Sequence, residues 1–254
     1  MARSFFLISA SCKIAAVLFW WHVPLRPVAV ALFFGPDLMA LYQIFAPSAR
    51  WLCPVITHFE TERAEIWLTI DDGPDEEDTP RILELLDRHG ARATFFLIGE
   101  RVMRSPKIVA EIIRHGHDVG HHTSTHPAAS FWCAGPARVR RELDDGLASL
   151  ERAGAKPRWF RAPVGIKNLF LADALKERGL RCAAWSVRSY DTVARDPAAV
   201  ADRVMRRVRP GSIVVMHEGA VLDPRVRVSA IKSLLEALSV EGIACVLPRA
   251  EQFR

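Results

Sequence analysis

Cysteine is scarce and unpatterned in this 254-residue chain: Cys12, Cys53, Cys133, Cys182 and Cys245 are five in number and show no CxxC spacing. Such a set argues against a disulfide framework and a cysteine-ligated zinc site, and it leaves the redox compartment open. Blocks of one charge sign are missing too. The 34 basic and 29 acidic residues are spread along the chain, so the net charge of +5 comes without a basic arm for nucleic acid. The mild basicity suits an anionic surface such as a membrane face, and a solvated exterior equally well. No nucleic-acid or protein partner is expected. Internal repeats and low-complexity tracts are absent, and a hydrophobic fraction of 50% is ample for one sizeable core plus an appendage.

Two apolar runs open the chain, residues 5–23 and 28–46, separated by Pro24-Leu25-Arg26-Pro27. Each is long enough to span a hydrocarbon core of about 30 Å. Each also carries one charge, Lys13 or Asp37. Near mid-span that charge costs roughly 2.5–3.5 kcal/mol, which the surrounding apolar residues can offset. Residues 1–46 therefore read as a membrane hairpin, with a pair of apolar helices packed on the domain or lying in the interface as the competing reading. Lys13 interrupts the first run and no small-residue cleavage site follows it, which argues against a cleaved signal peptide. If both runs cross, Arg3, Arg50 and Arg63 oppose Arg26, and the positive-inside rule puts the remainder on the cytoplasmic face of an inner membrane. If one crosses, it lies outside. Pro36, Trp20, Trp21 and Trp51 read as packing or interface anchors.

Residues 47–63 read as a linker, and residues 64–254 alternate short apolar runs with amphipathic segments, the pattern of a parallel α/β architecture. Strands are expected at residues 65–70, 93–98, 159–160, 183–187, 213–216 and 243–247. Helices are expected from Thr79-Pro80 to Gly90, from Ser105-Pro106 to Gly116, and at residues 137–152, 169–178, 197–208 and 228–238. The chemistry-bearing motifs fall mostly where strands end, the face on which barrels of parallel strands build active sites.

Two motifs answer one another: Thr69-Ile70-Asp71-Asp72-Gly73-Pro74 and His122-Thr123-Ser124-Thr125-His126-Pro127. Adjacent carboxylates after an apolar run repel each other and are costly to desolvate, so a cation shared with the histidines gives both motifs a reason. His122 and His126 are four apart, and on a helix or tight turn they can grip one ion. The spacing alone is weak, because His117 and His121 share it. Asp71-Asp72-Gly73-Pro74 alone reads as an ordinary turn. Together, one carboxylate and two histidines make a set with open positions for water and substrate, suited to zinc or another divalent transition metal, while the second carboxylate is free to act as a base.

With these motifs in place, the chain resembles a NodB-type polysaccharide deacetylase, carbohydrate esterase family four, in a membrane-anchored variant. The resemblance runs over roughly residues 64–247 and rests on five ordered motifs. It implies a distorted (β/α) barrel and metal-dependent hydrolysis of an N-acyl group, acetyl or formyl, on an amino sugar in a glycan or a lipid-linked saccharide. It implies one divalent metal, zinc first, with cobalt, nickel or manganese as alternatives. Carried over by position, Asp71 resembles the general base, and Asp72, His122 and His126 the metal ligands. Arg161-Ala162-Pro163-Val164-Gly165 is similar to the third motif, in which Arg161 orients the base and Pro163-Val164 lines the oxyanion site, the Val164 N–H helping to hold the oxyanion. Val164 replaces a usual tyrosine. His217, in Val215-Met216-His217, resembles the general acid.

The fourth motif departs from the family: the usual Asp-x-x-Asp-Trp appears as Arg188-Ser189-Tyr190-Asp191-Thr192, after Trp185. Asp191 matches the carboxylate that tunes the acid histidine. Arg188 brings a positive charge near the pocket, suggesting an anionic substrate group such as a phosphate or else a structural pairing with a carboxylate. His121 stands where asparagine is common and has no assigned role. Trp132 reads as core packing or as a wall of a glycan groove. Two other readings compete with the deacetylase: a hydrolase of linear or cyclic non-sugar amides on the same scaffold, and a non-catalytic glycan-binding module.

Overall fold

Ile66, Trp67, Leu68 and Ile70 are fully buried in one strand, as expected where a parallel sheet is covered on both faces. The computed structural model describes residues 2–219, 223 and 226–253. Met1 and Arg254, which end the expected segments, and the Arg3 side chain, used in the charge argument, lie outside the described residues.

In chain order the elements are α1 (Ala2–Trp20), α2 (Arg26–Phe45), β1 (Val55–Ile56), β2 (Glu65–Gly73), α3 (Asp78–Arg88), β3 (Ala93–Leu97), α4 (Gly99–Arg104), α5 (Pro106–Arg114) and β4 (Asp118–His121). They continue with α6 (Pro136–Arg152), β5 (Trp159–Phe160), α7 (Leu171–Glu177), β6 (Arg181–Ala183), β7 (Val187–Arg188), α8 (Pro197–Met205), β8 (Ile213–His217), α9 (Arg227–Val240) and β9 (Ala244–Cys245). The strands form one parallel, curled sheet in the order β1-β6-β5-β4-β3-β2-β8-β7, with β9 joined to β2. This is the barrel-like α/β architecture expected from the alternating pattern. Register then places the site. Asp71 is the partner of His217, Leu97 of His121, and His121 of Phe160, so the motifs leave their strands at one rim.

One expected strand is corrected. Residues 183–187 are not continuous: Ala183 ends β6 and Val187 begins β7, at opposite ends of the sheet. The Ala184 N–H donates to Ile56 O and the Ser186 N–H to Ile213 O, so three residues bridge the two ends of the sheet where one strand could not. Part of the stretch read as linker is itself a strand, since β1 pairs with β6.

Helices α3, α5, α8 and α9 cover the outer face through Ile82, Leu86, Val109, Ile112, Val200, Ile231 and Leu234. A second cluster inside the curl packs Trp67, Trp159, Phe96 and Phe253, closing the floor beneath the site. All five cysteines are free thiols.

The apolar runs form two packed antiparallel helices. Val23–Phe45 is long and apolar enough to cross a membrane, whereas the apolar part of its partner, Ser4–Trp20, is shorter. Lys13 and Asp37 face each other at 2.9 Å, so the two charges that look separately costly in the sequence neutralise one another. The hairpin also abuts the barrel. The Lys167 N–H donates to Ile44 O, its ammonium donates to the carbonyls of Ala46 and Pro47, and Phe45 packs on Trp132. Trp132 is therefore not core: it is 38% exposed and rests on the end of α2.

Candidate active site

The acidic pair divides by backbone geometry. Asp71 is the last residue before an irregularity in the β2–β3 register, and Asp72 follows in the left-handed region at φ 72°. That kink turns the second carboxylate away from the first. Asp71 accepts from Arg161 Nη1 at 2.6 Å, and both side chains are almost wholly buried. Arg161 is fixed along its whole fork: Nη1 also reaches Thr69 Oγ1 at 2.7 Å, Nε reaches Ala183 O at 3.2 Å, and Nη2 reaches Ala184 O at 2.9 Å. Burial pulls its pKa down, and the charge and hydrogen bond of Asp71 oppose that pull. A buried guanidinium so paired holds its carboxylate in one orientation.

Asp72 instead faces the histidines. Its Oδ1 lies 3.5 Å from His122 Nε2 and 3.3 Å from His126 Nε2, and finds no hydrogen-bond partner among the described residues. One ligand atom from each of the three residues lies within 4.8 Å of the others. Burial would raise the Asp72 pKa, but the nearby imidazole of His122, followed by those of His126 and His217, outweighs it and lowers the pKa below the ordinary carboxylate range. His126 is pushed down to about 4, first by burial and then by His122, against the opposing pull of Asp72 and Asp71. His122 Nδ1 is 2.8 Å from Arg161 O; as the donor there, it leaves the Nε2 lone pair toward Asp72. An orphaned buried carboxylate oxygen facing two imidazole nitrogens fits a divalent cation.

The histidines do not sit on a helix. They leave β4 in a loop with Thr123 at φ 63° and His126 at φ 54°, pinned because the His126 N–H donates to Thr123 Oγ1 at 3.0 Å. Glu142, on α6, accepts from the N–H groups of Ser124 and Thr125 at 3.0 and 2.9 Å and from Thr125 Oγ1 at 2.7 Å. The rival pair separates cleanly. His117 accepts from the Ala93 N–H at 3.4 Å, and His121 Nε2 lies 3.0 Å from Leu143 O against Gly146. Burial lowers their pKa values to about 4 and about 3, so both are neutral core histidines.

Across the rim, His217 Nδ1 lies 2.8 Å from Asp191 Oδ1, and its backbone N–H donates to Asp191 Oδ2 at 2.7 Å. Burial disfavours the imidazolium, yet the charge and hydrogen bond of Asp191, followed by Asp71 and Asp72, raise the His217 pKa to about 9. Pro163 is buried, while Val164, at φ 49°, projects into the cleft and is 45% exposed. Gly165 at φ 73° has no room for a side chain between Trp185 and Pro47.

Asp71, Asp72, His122, His126, Val164 and His217 all line one cleft of about 590 Å³. The sequence gives no cue to three further residues. Arg101 donates to Asp72 O, Arg104 joins it on the wall, and Glu142 anchors the histidine loop from a distant helix. Only tertiary packing brings them there.

The model of the family described as polysaccharide deacetylase matches residues 59–183. A peptidoglycan-N-acetylglucosamine deacetylase of Bacillus cereus is 33% identical over 179 residues, covering 70% of this chain and 83% of that protein. A chitooligosaccharide deacetylase of Sinorhizobium fredii is 33% identical over 193 residues, covering 72% and 89%. The crystal structure of a peptidoglycan N-acetylglucosamine deacetylase superposes with a TM-score of 0.69 at 30% identity, covering 76% of this chain and 89% of that one. With that breadth of similarity laid over the acidic pair, the histidine loop and the buried arginine, this chain belongs to the polysaccharide deacetylase family.

Proposed function

We propose that the protein is a membrane-held, metal-dependent hydrolase that removes an N-acyl group from an amino sugar. The observation that carries this reading is the unequal fate of two adjacent carboxylates: Asp72 faces two imidazoles, and Asp71 is clamped by Arg161. Asp72, His122 and His126 would hold one divalent metal, zinc first, which supplies a Lewis acid for the acyl oxygen and lowers the pKa of the attacking water.

The chain's own residues do the rest. Asp71, oriented by Arg161, takes the proton from water as it attacks the amide carbon. Val164 lines the cleft, and its N–H is the donor for the oxygen on which charge develops in this reading. His217, kept protonated by Asp191, donates to the departing nitrogen so that it leaves as an amine. Asp191 thus acts through His217, and Arg161 through Asp71.

The hairpin supports attachment to a bilayer. Leu7, Ile14, Leu18, Phe34 and Leu38 are among the large apolar side chains on its outer faces, and the Lys13–Asp37 pair removes the main penalty for insertion. The excess of Arg50 and Arg63 over Arg26 favours the cytoplasmic side. Residues 1–46 then form the anchor and 64–254 the catalytic domain, with the 47–63 connection contributing β1 to that domain's sheet.

Acetate release from N-acetylglucosamine oligomers, formate release from their N-formyl counterparts and ring opening of small cyclic amides, each measured with the metal-loaded full chain, test the activity. Release from the sugars alone is expected; turnover of the cyclic amides alone would overturn the reading. For topology, protease added to spheroplasts should leave the domain intact, and its digestion would place the domain outside.

A further inference from the structure

Arg188 is the least explained charge in the cleft. It ends β7, and its register partner is Val215, two residues before His217 on the neighbouring strand; Arg188, Val215 and His217 all line the same cavity. Its guanidinium lies 4.8 Å from the ring of Tyr190 and 5.9 Å from that of Trp185. Among the described residues no carboxylate forms an ion pair with it. The structural pairing that the sequence leaves open is therefore not made.

The stack is braced from behind. Tyr190 holds φ 59° in the loop that carries Asp191, with Arg203 on its ring at 5.5 Å, and Arg203 Nη1 donates to Ser189 O at 3.1 Å. A guanidinium held by aromatic faces keeps its in-plane N–H fork free, the geometry that binds oxyanions in bidentate fashion. Arg101 and Arg104 add positive charge to the same cleft. Of the cleft's carboxylates, Asp71 is matched by Arg161 and Asp72 faces the two histidines with which it would hold a cation, which leaves Glu100.

We infer that Arg188 is the centre of an anion subsite that selects an N-acyl amino sugar bearing a phosphate beside the scissile amide, presented on a membrane lipid. This rests on the deacylase reading. His217 protonates the leaving nitrogen, so a subsite adjoining His217 meets the substituent on the neighbouring ring carbon. In a 2-amino sugar, one such carbon is the anomeric carbon, which carries the phosphate of sugar phosphates and of their lipid esters. The lipid source follows from the hairpin. Its end packs beside the cleft, with Pro47 against Gly165, the neighbour of the cleft residue Val164, and Phe45 on Trp132, so a hairpin in a bilayer would keep the cleft close to the membrane surface.

The test uses the full chain in nanodiscs, loaded with zinc, and compares kcat/KM for acetate release from three substrates. These are chitotetraose, N-acetylglucosamine 1-phosphate and a prenyl-diphosphate-linked N-acetylglucosamine. The lipid-linked substrate should be preferred over the oligomer by about tenfold or more, the scale of a charge-assisted hydrogen-bond pair. Arg188→Gln should collapse that ratio mainly through KM, and Arg188→Lys should restore part of it. Calorimetry of N-acetylglucosamine 1-phosphate binding to metal-free protein should show the same order of variants. Equal use of the soluble and lipid-linked phosphates would support the subsite and overturn the membrane source. Turnover of chitotetraose with no phosphate preference, or a preference that survives Arg188→Gln, would overturn this inference and leave the deacylase reading standing. No release from any of the three would overturn both.

Discussion

Asp71 and His217 are direct register partners at the ends of β2 and β8, yet each is held by a different countercharge: Asp71 by Arg161 at 2.6 Å and His217 by Asp191 at 2.8 Å. The proposed base and the proposed acid are thereby each oriented by a separate charged partner.

Replacing the base without changing its shape isolates its role. Asp71→Asn should lower kcat by about 10²-fold or more, the usual reach of general-base catalysis, while metal content by elemental analysis stays at the wild-type level. A near wild-type rate would remove Asp71 from that role.

The proposed ligand set makes metal retention depend on the other carboxylate and its histidines. His122→Ala should leave the purified protein with well under one metal per chain. Glu142→Gln, which weakens the acceptor holding Ser124 and Thr125, should weaken affinity by about tenfold or more, as outer-shell changes commonly do. Full metal retention by His122→Ala would count against the ligand assignment.

The His217–Asp191 pair predicts a pH dependence with a definite sign. His217 must carry its proton to act, and its pKa of about 9 sets a basic limb for activity. In Asp191→Asn, burial is no longer outweighed by that charge, so the limb should move to lower pH in a kcat/KM profile. The folded pKa lies above the ordinary value of 6.5, so the pair's contribution to stability is full below 6.5 and fades as pH rises through 9. The variant should therefore lose more stability at pH 6 than at pH 10. An unmoved basic limb would exclude Asp191 as the tuning group.

Glu218 gives a second signature, one independent of catalysis. It is fully buried against Gly73 and accepts from Thr79 Oγ1 at 2.5 Å; burial, then Asp75 and Asp78, raises its pKa to about 8 against the pull of Thr79 and Arg101. The unfolded chain releases this proton near 4.5, so the folded state is penalised progressively between 4.5 and 8. Glu218→Gln should raise the thermal midpoint more at pH 8 than at pH 5, by an increment worth at least ~1 kcal/mol. An equal change at both pH values would show that Glu218 does not titrate in this range.

Much of this was legible because the family's motifs sit at strand ends, and β2 and β3 are apolar enough to announce themselves. Asp71, Asp72, His122, His126, Arg161, Asp191 and His217 all reach one cleft or support it from behind. What stayed hidden was set by tertiary contacts. β4 reads Asp118-Val119-Gly120-His121, too short and polar to announce a strand, and it forms because its last three residues are buried between β3 and β5. The break between β6 and β7 depends on where the sheet fails to close, which no local propensity encodes. Glu142 has no motif, because its partners are backbone N–H groups.

The buried ammonium of Lys167 draws its acceptors from the carbonyls that follow α2, and it lies two residues beyond Gly165 in the loop that carries Val164. A cut placed after residue 47 would strand that cation without those acceptors and take away the proline against which the loop is wedged. The smallest intact unit of the barrel therefore begins inside the apolar hairpin, and trimming that hairpin for solubility would disturb the loop that carries Val164.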